Sequence, residues 1–202
     1  MRRGRAARRS VALAAGLLLA SAGTEAADRQ IRPFIGATFA RSTTFVDPED
    51  AIGKPSLAIG GSAVFLGEVF GAEVDVSDAP GFFESGNRHL VLYSRVTTIS
   101  GNVVVAAPHR LTEYALRPYF VGGAGLMRVR TTTAFSVFDV STVIPALNVG
   151  VGALGFLTNR IGVCWDVRRF QSVGSNEGNV GLSFGDEHLS FWRATMAVVI
   201  RY

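Results

Sequence analysis

The stretch LSFWRATMAVVIRY at 189–202 constrains this chain more than any other. From Trp192 onward every second residue is apolar: Trp192, Ala194, Met196, Val198, Ile200 and Tyr202. The other register holds Arg193, Thr195, Ala197, Val199 and Arg201. Strict alternation of this length predicts a β-strand with one apolar face and one largely polar face. A strand whose apolar face meets acyl chains, and whose last ring sits at the lipid–water interface, accounts for that pattern.

The opposite end of the chain fits the same idea. Arg2, Arg3, Arg5, Arg8 and Arg9 precede an apolar core, Val11 to Ala22, and Thr24-Glu25-Ala26 then offers small residues at the −3 and −1 positions. This layout predicts a secretory signal peptide over residues 1–26, cleaved after Ala26 and too short to span a membrane as a helix. The competing reading is a buried N-terminal helix of the mature fold. Arg8-Arg9 resembles a loose twin-arginine signal, but a barrel that inserts from an unfolded state would not be exported folded.

Charge is reinterpreted once the signal is removed. The whole chain has 20 Lys+Arg against 16 Asp+Glu, a formal +4, but the export segment holds five of the arginines and Glu25. The remaining 15 basic and 15 acidic residues cancel. The basicity therefore belongs to export and implies no nucleic-acid partner. Residues 27–202 suffice for one domain. Cys164 is the single cysteine, so an exported fold has no internal disulfide to rely on. No other stretch is apolar for long enough to form a spanning helix.

Eight strand-like segments can be laid along the mature chain: 31–41, 56–66, 69–79, 94–107, 116–129, 146–157, 160–171 and 190–202. Most are about twice the usual globular strand and long enough to cross a bilayer at a tilt. Their connections alternate. Long ones, at 42–55, 80–93, 130–145 and 172–189, carry turn chemistry such as Asp47-Pro48, Pro80-Gly81, Ser85-Gly86-Asn87 and Gly174-Ser175-Asn176. Short ones are Gly67-Glu68, residues 108–115 and Thr158-Asn159. Short turns on one side and long loops on the other suit an outer-membrane barrel with the turns in the periplasm, and both termini then fall on the short-turn side.

The faces agree, unevenly. Ile161, Val163, Trp165 and Val167 alternate with Gly162, Cys164, Asp166 and Arg168. Leu147, Val149, Val151 and Ala153 alternate with Asn148, Gly150, Gly152 and Leu154, and Phe70, Ala72, Val74 and Val76 with Gly71, Glu73, Asp75 and Ser77. One face is continuously apolar while the other mixes glycine with charge. In a narrow lipid-facing barrel, small inward residues make room for arginines and carboxylates that must pair. The first and fifth segments carry apolar residues in both registers, so their facing stays open. Trp165, Trp192, Tyr93, Tyr119 and Tyr202 are candidates for interfacial girdles, or alternatively for ordinary core aromatics.

RPYFVGGAGLMRV at 117–129, NVGVGALGFLTNRIGVCWDVRRF at 148–170 and the terminal FWRATMAVVIRY resemble the bacterial outer-membrane β-barrel domain family. Its best-known relatives are the eight-stranded barrels of the outer-membrane protein A and X type. The resemblance covers essentially all of 31–202. It implies an all-β, eight-stranded antiparallel up-and-down transmembrane barrel in the cell outer membrane of a Gram-negative envelope. The final strand also resembles the insertion signal read by the outer-membrane assembly machinery, with Tyr202 in place of the usual phenylalanine after Met196, Val198 and Ile200. The family spans adhesins, small-solute pores and wall-linking anchors, so the resemblance implies location more than activity.

Candidate chemistry is sparse. His188-Leu189-Ser190 has the His-x-Ser spacing of outer-membrane lipid A deacylases, which add a carboxylate to activate the serine, yet 191–202 holds no Asp or Glu. The competing reading is a solvated loop end beside Asp186 and Glu187. His89, His109 and His188 fall on different loops and give no metal-binding spacing. Cys164 reads as a buried, inert thiol facing the lumen. Gly60-Gly61, Gly122-Gly123-x-Gly125 and Gly150-x-Gly152 lack the following helix that a dinucleotide site needs. They read instead as tight curvature or close backbone approach within strands.

The polar faces place Glu73, Asp75, Asp166, Arg168, Arg193 and Arg201 in the lumen, where Asp166 or Glu73 is expected to pair with Arg193. The expectation is a small structural or surface-interaction barrel, its lumen plugged by charge and its long loops forming the contact surface. No catalytic, cofactor-binding or metal residue is assigned. Outer-membrane lipid, lipopolysaccharide and the assembly machinery are the expected partners of a monomer. With Tyr202 closing the last strand, no wall-binding domain is expected to follow. The alternatives are a lipid A-modifying enzyme, a narrow small-solute pore, and a soluble lipocalin-like binding barrel.

Overall fold

The computed structural model describes residues 28–43, 55–82, 91–108, 112, 116–133, 140–173 and 189–202. These form eight strands: β1 (Asp28–Thr43), β2 (Ser56–Leu66), β3 (Phe70–Pro80), β4 (Val91–Ala106), β5 (Arg117–Thr133), β6 (Val140–Phe156), β7 (Ile161–Ser172) and β8 (Leu189–Arg201). Each strand pairs antiparallel with the next, and β1 pairs with β8, so the sheet closes into a barrel with no free edge. Among the described residues no helix is long and apolar enough to cross a membrane. The proposed signal segment lies outside the described residues.

The eight expected segments are all present, but four strands run longer than their apolar stretches. β1 begins at Asp28, β4 at Val91, β5 continues to Thr133 and β6 starts at Val140. Strand pairing therefore runs into both ends of the connection expected at 130–145. Charged residues such as Arg128 and Arg130 mark the edge of the apolar band, whereas backbone pairing continues past it, with Arg128 opposite Val143 and Arg130 opposite Ser141.

Side chains alternate between the two sides of the wall, interrupted in β1 by a bulge between Phe39 and Ser42. In β7 Ile161, Trp165 and Val167 are exposed while Cys164, Asp166 and Arg168 are buried; in β8 Trp192, Met196, Val198 and Ile200 are exposed while Arg193, Ala197 and Val199 are buried. The two undecided strands fall into line. Ile31, Ile35 and Phe39 of β1 face out and Gln30, Arg32, Phe34 and Thr38 face in; in β5 Phe120 and Leu126 face out and Tyr119, Val121 and Met127 face in. Apolar residues appear in both registers because the lumen has apolar ends as well as a polar middle.

The short connections are tied by local bonds. Gly67 N donates to Phe70 O (2.9 Å), and Leu157 N to Ile161 O (3.0 Å). Arg117 clasps two turns from inside, donating to the carbonyls of Ala107 (2.7 Å), Gly67 (3.4 Å) and Glu68.

Candidate functional site

The interior is layered. Towards the short turns lies an apolar cluster that includes Phe34, Val64, Leu66, Val104, Leu154 and Val199. Towards the long connections lies a second, with Phe82, Val96, Met127, Phe170, Leu189 and Phe191. There Phe191 stacks on Phe170 with 5.1 Å between ring centroids and meets Phe82 edge-on, also at 5.1 Å. Between the clusters sits a band of buried charge supplied by β1, β3, β7 and β8.

Arg193 of β8 reaches across the lumen to Asp75 of β3, its Nη1 and Nη2 each donating to one carboxylate oxygen at 2.9 Å. Its guanidinium also lies 4.8 Å from the ring centres of both Phe34 and Phe170. Arg168 of β7 donates from Nε to Asp166 (2.7 Å) and reaches Glu73 from Nη1 (2.8 Å), while Asp75 stands 3.9 Å away. Tyr119 donates its hydroxyl to Asp166 (2.8 Å) and contacts Cys164 Sγ (3.0 Å). Arg32 sits over the Tyr119 ring at 5.5 Å and donates to Gln30, which donates to Asp28, the partner of Arg201. The amides of Asn102 and Asn148 meet at 2.8 Å. Arg168 and Arg193 thus pair with three carboxylates (Glu73, Asp75, Asp166), while Arg32 is held by Gln30 and the Tyr119 ring, all of them nearly removed from solvent. Such a set is tolerable only when it is paired.

Glycine makes the room. A Cβ on Gly150 would lie 2.6 Å from Arg168 Cγ, and one on Gly152 would overlap the Tyr119 ring. The space left among Arg32, Ser62, Asp75, Tyr119, Arg168 and Arg193 is about 10 Å³, at most one water molecule.

The expected pairing needs one correction. Arg193 binds Asp75, not Asp166 or Glu73, although β7 and β8 are neighbours. Arg168 and Arg193 stand directly opposite each other in the ladder, and Arg168 takes both Asp166, two residues away on its own face, and Glu73. Arg193 is left with Asp75 across the lumen. Arg201 is not in this band but near the short-turn end, where it pairs with Asp28 and lies 3.7 Å from the Phe156 ring centre. Sequence reasoning missed Arg32 and Tyr119, both on the strands whose facing was open. Cys164 is buried in the lumen as expected.

Outside the barrel the arrangement is inverted. Ile31, Ile35, Leu57, Phe65, Phe70, Val74, Ile99, Val103, Phe120, Leu126, Val149, Trp165, Met196 and Ile200 are all substantially exposed. On β4 the outward positions from Thr97 down to Val105 cover roughly 20 Å of barrel height at ~3.3 Å per residue and ~40° tilt. That is close to the apolar band of an outer-membrane barrel, about 25 Å. A water-soluble binding barrel would have the opposite arrangement, so the lipocalin-like alternative does not fit.

No protein-family model matches the chain, and no curated protein matches it by sequence. Solved structures do. Neisserial surface protein A matches with a TM-score of 0.61 at 11% identity, covering 86% of this chain and 97% of that one. The outer membrane protein OprG from Pseudomonas aeruginosa matches at 0.57 and 11% identity, over 89% of this chain and 98% of that one. The N-terminal β-barrel domain of Pseudomonas aeruginosa OprF gives 0.53 and 11%, over 87% and 97%. The chain folds as an eight-stranded outer-membrane barrel. In such a barrel the belt of exposed apolar side chains is the lipid-facing surface, and the charged band lies within its height.

Of the candidate chemistry, His188, His89 and His109 lie outside the described residues, as do Asp186 and Glu187. Ser190 is half-buried in β8 and shares the outward parity of Trp192, opposite Gln171 of β7 and Ser42 of β1. Among the described residues the outward positions of β7 near it are Val167, Arg169 and Gln171, none of them an acid. No group of three His, Cys, Asp or Glu among the described residues is placed to hold a metal.

Proposed function

We propose that this is a small, non-enzymatic outer-membrane barrel that acts as a stable platform. Its lumen is closed by the Arg193–Asp75 and Arg168–Glu73–Asp166 pairs, and its long connections face outside the cell as a contact surface. The observation that carries this reading is the filled middle of the cylinder: paired charges flanked by two apolar clusters, with about 10 Å³ between Arg32, Asp75, Tyr119, Arg168 and Arg193. An ion crossing it would have to break a buried salt bridge, which costs several kcal/mol. Of the structures with this fold, one is named a surface protein, Neisserial surface protein A, and another, Ail of Yersinia pestis, the attachment invasion locus protein (TM-score 0.52, 10% identity).

The alternating face that ends at Tyr202 is the segment we assign to recognition by the outer-membrane assembly machinery. Lipopolysaccharide is the lipid expected around the outer half of the belt. The test is conductance of the purified protein in a planar bilayer, with heat-dependent electrophoretic mobility as the control for folding. The expected result is a heat-modifiable band and no steady conductance above the bare bilayer. A steady, reproducible open level would refute the closed-lumen reading in favour of a small-solute pore.

A further inference from the structure

On one side the apolar belt ends in cations that face the wrong way for a lumen. On β5 the outward parity runs Phe120, Gly122, Ala124 and Leu126 and then turns to Arg128 and Arg130, both exposed. On β4 it runs Val105, Val103, Gly101 and Ile99, then Thr97 and Arg95. Register brings these together: Arg95 stands directly opposite Arg130, and Thr97 opposite Arg128. Arg128 Nε donates to Ser141 Oγ of β6 at 3.3 Å. The ion pair recorded in this patch is Arg95 with Asp78 of β3, at 2.7 Å, and Thr97 Oγ1 donates to the same carboxylate at 2.9 Å. Among the described residues three guanidiniums therefore gather on one wall beside the Asp78 carboxylate, which Arg95 and Thr97 both engage. Like charges directly opposite each other in a ladder are destabilising, and an anion between them would remove that cost.

Beneath the cations, in the next outward row, lie exposed Val76, Ile99 and Leu126, while exposed Val143 of β6 stands beside Arg128. We infer that the outer wall of β3–β6 is a site for the phosphorylated headgroup of an outer-leaflet lipid. Arg128 and Arg130 hold the phosphate, Ser141 and Arg95 flank it, and the acyl chains lie on the apolar residues below. The two-residue spacing of Arg128 and Arg130 puts both side chains on one face about 7 Å apart, a reach that two oxygens of one phosphate or two neighbouring phosphates can bridge. The inference rests on the reading that the long-connection end faces outside the cell, since this patch lies at that end.

The full chain, produced in a Gram-negative outer membrane and extracted in mild detergent, is titrated with bisphosphorylated lipid A, with dephosphorylated lipid A and with inorganic phosphate, binding being read by native mass spectrometry. Charge-assisted hydrogen bonds of this kind set the scale at roughly tenfold per arginine. R128Q/R130Q is therefore expected to weaken phosphorylated lipid A about a hundredfold and leave the dephosphorylated form unchanged. Equal affinity of the native protein for both lipids, or no change in the double variant, overturns the inference. So does displacement of the lipid by equimolar inorganic phosphate, which would mark a site for a free anion. If the double variant lacks the heat-modifiable band, the native protein decides. Affinity for phosphorylated lipid A must fall with added NaCl while that for the dephosphorylated lipid stays flat, and parallel curves overturn the inference. Recovery of the protein in the aqueous fraction would instead refute the membrane reading itself.

Discussion

Replacing Asp75 by asparagine removes one negative charge from the lumen while keeping its volume and one accepting oxygen. Arg193 is 1% exposed, and Asp75 is the carboxylate it is paired with. Arg168 already engages Glu73 and Asp166. After the change Arg193 loses the carboxylate that both its Nη atoms bind. Breaking one partner out of a buried pair costs about 3–5 kcal/mol. Asparagine keeps one accepting oxygen for Arg193, so Asp75→Asn is expected to fall at the lower end, about 3 kcal/mol. Arg193→Met should lose less, about 2 kcal/mol. Asp75 then stands 3.9 Å from Arg168 Nη1, which can turn to it, and methionine still packs on the Phe34 and Phe170 rings. The double variant restores neutrality and should cost less than the sum of the singles, a coupling of about 2 kcal/mol. Urea-induced unfolding of the reconstituted barrel, followed by tryptophan fluorescence, measures all three. The reasoning fails if Asp75→Asn stays within about 1 kcal/mol of the native protein, or if Arg193→Met proves the costlier single change.

Met196 lies midway along the outward face of β8 and is 52% exposed, so Met196→Lys is expected to cost about 2–4 kcal/mol in lipid, measured by the same unfolding curves. Gly152→Ala pushes a methyl into the Tyr119 ring and the Trp165 carbonyl; the expected loss is about 1–3 kcal/mol, seen as a lower temperature for the electrophoretic shift. Tyr119→Phe leaves Asp166 without one donor and should destabilise by about 1–2 kcal/mol, while conductance stays at the baseline.

The order and facing of most strands could be read directly from the sequence. In β3, β6, β7 and β8 one face is continuously apolar and the other carries glycine and charge, and a period of two admits only one facing once lipid is assigned to the apolar side. β1 and β5 were opaque because Phe34, Val121 and Met127 point inward into the apolar ends of the lumen, so hydrophobicity alone could not separate their faces. The charged constellation was visible as a set, but not its wiring. Who pairs with whom depends on the diameter and shear of the cylinder, which bring Asp75 of β3 to Arg193 of β8 across the interior. The outward arginines left a signal that went unused: Arg128 and Arg130 share the parity of Leu126, and charge on the lipid parity marks where the apolar band ends.

Two of the bonds that fill the lumen join residues far apart in the chain: 95 positions separate Glu73 from Arg168, and 118 separate Asp75 from Arg193. They run across the cylinder and not along its wall, so no hairpin can make them alone. Each ties β3 to the far wall, so these two pairs brace the cylinder across its width and resist its flattening.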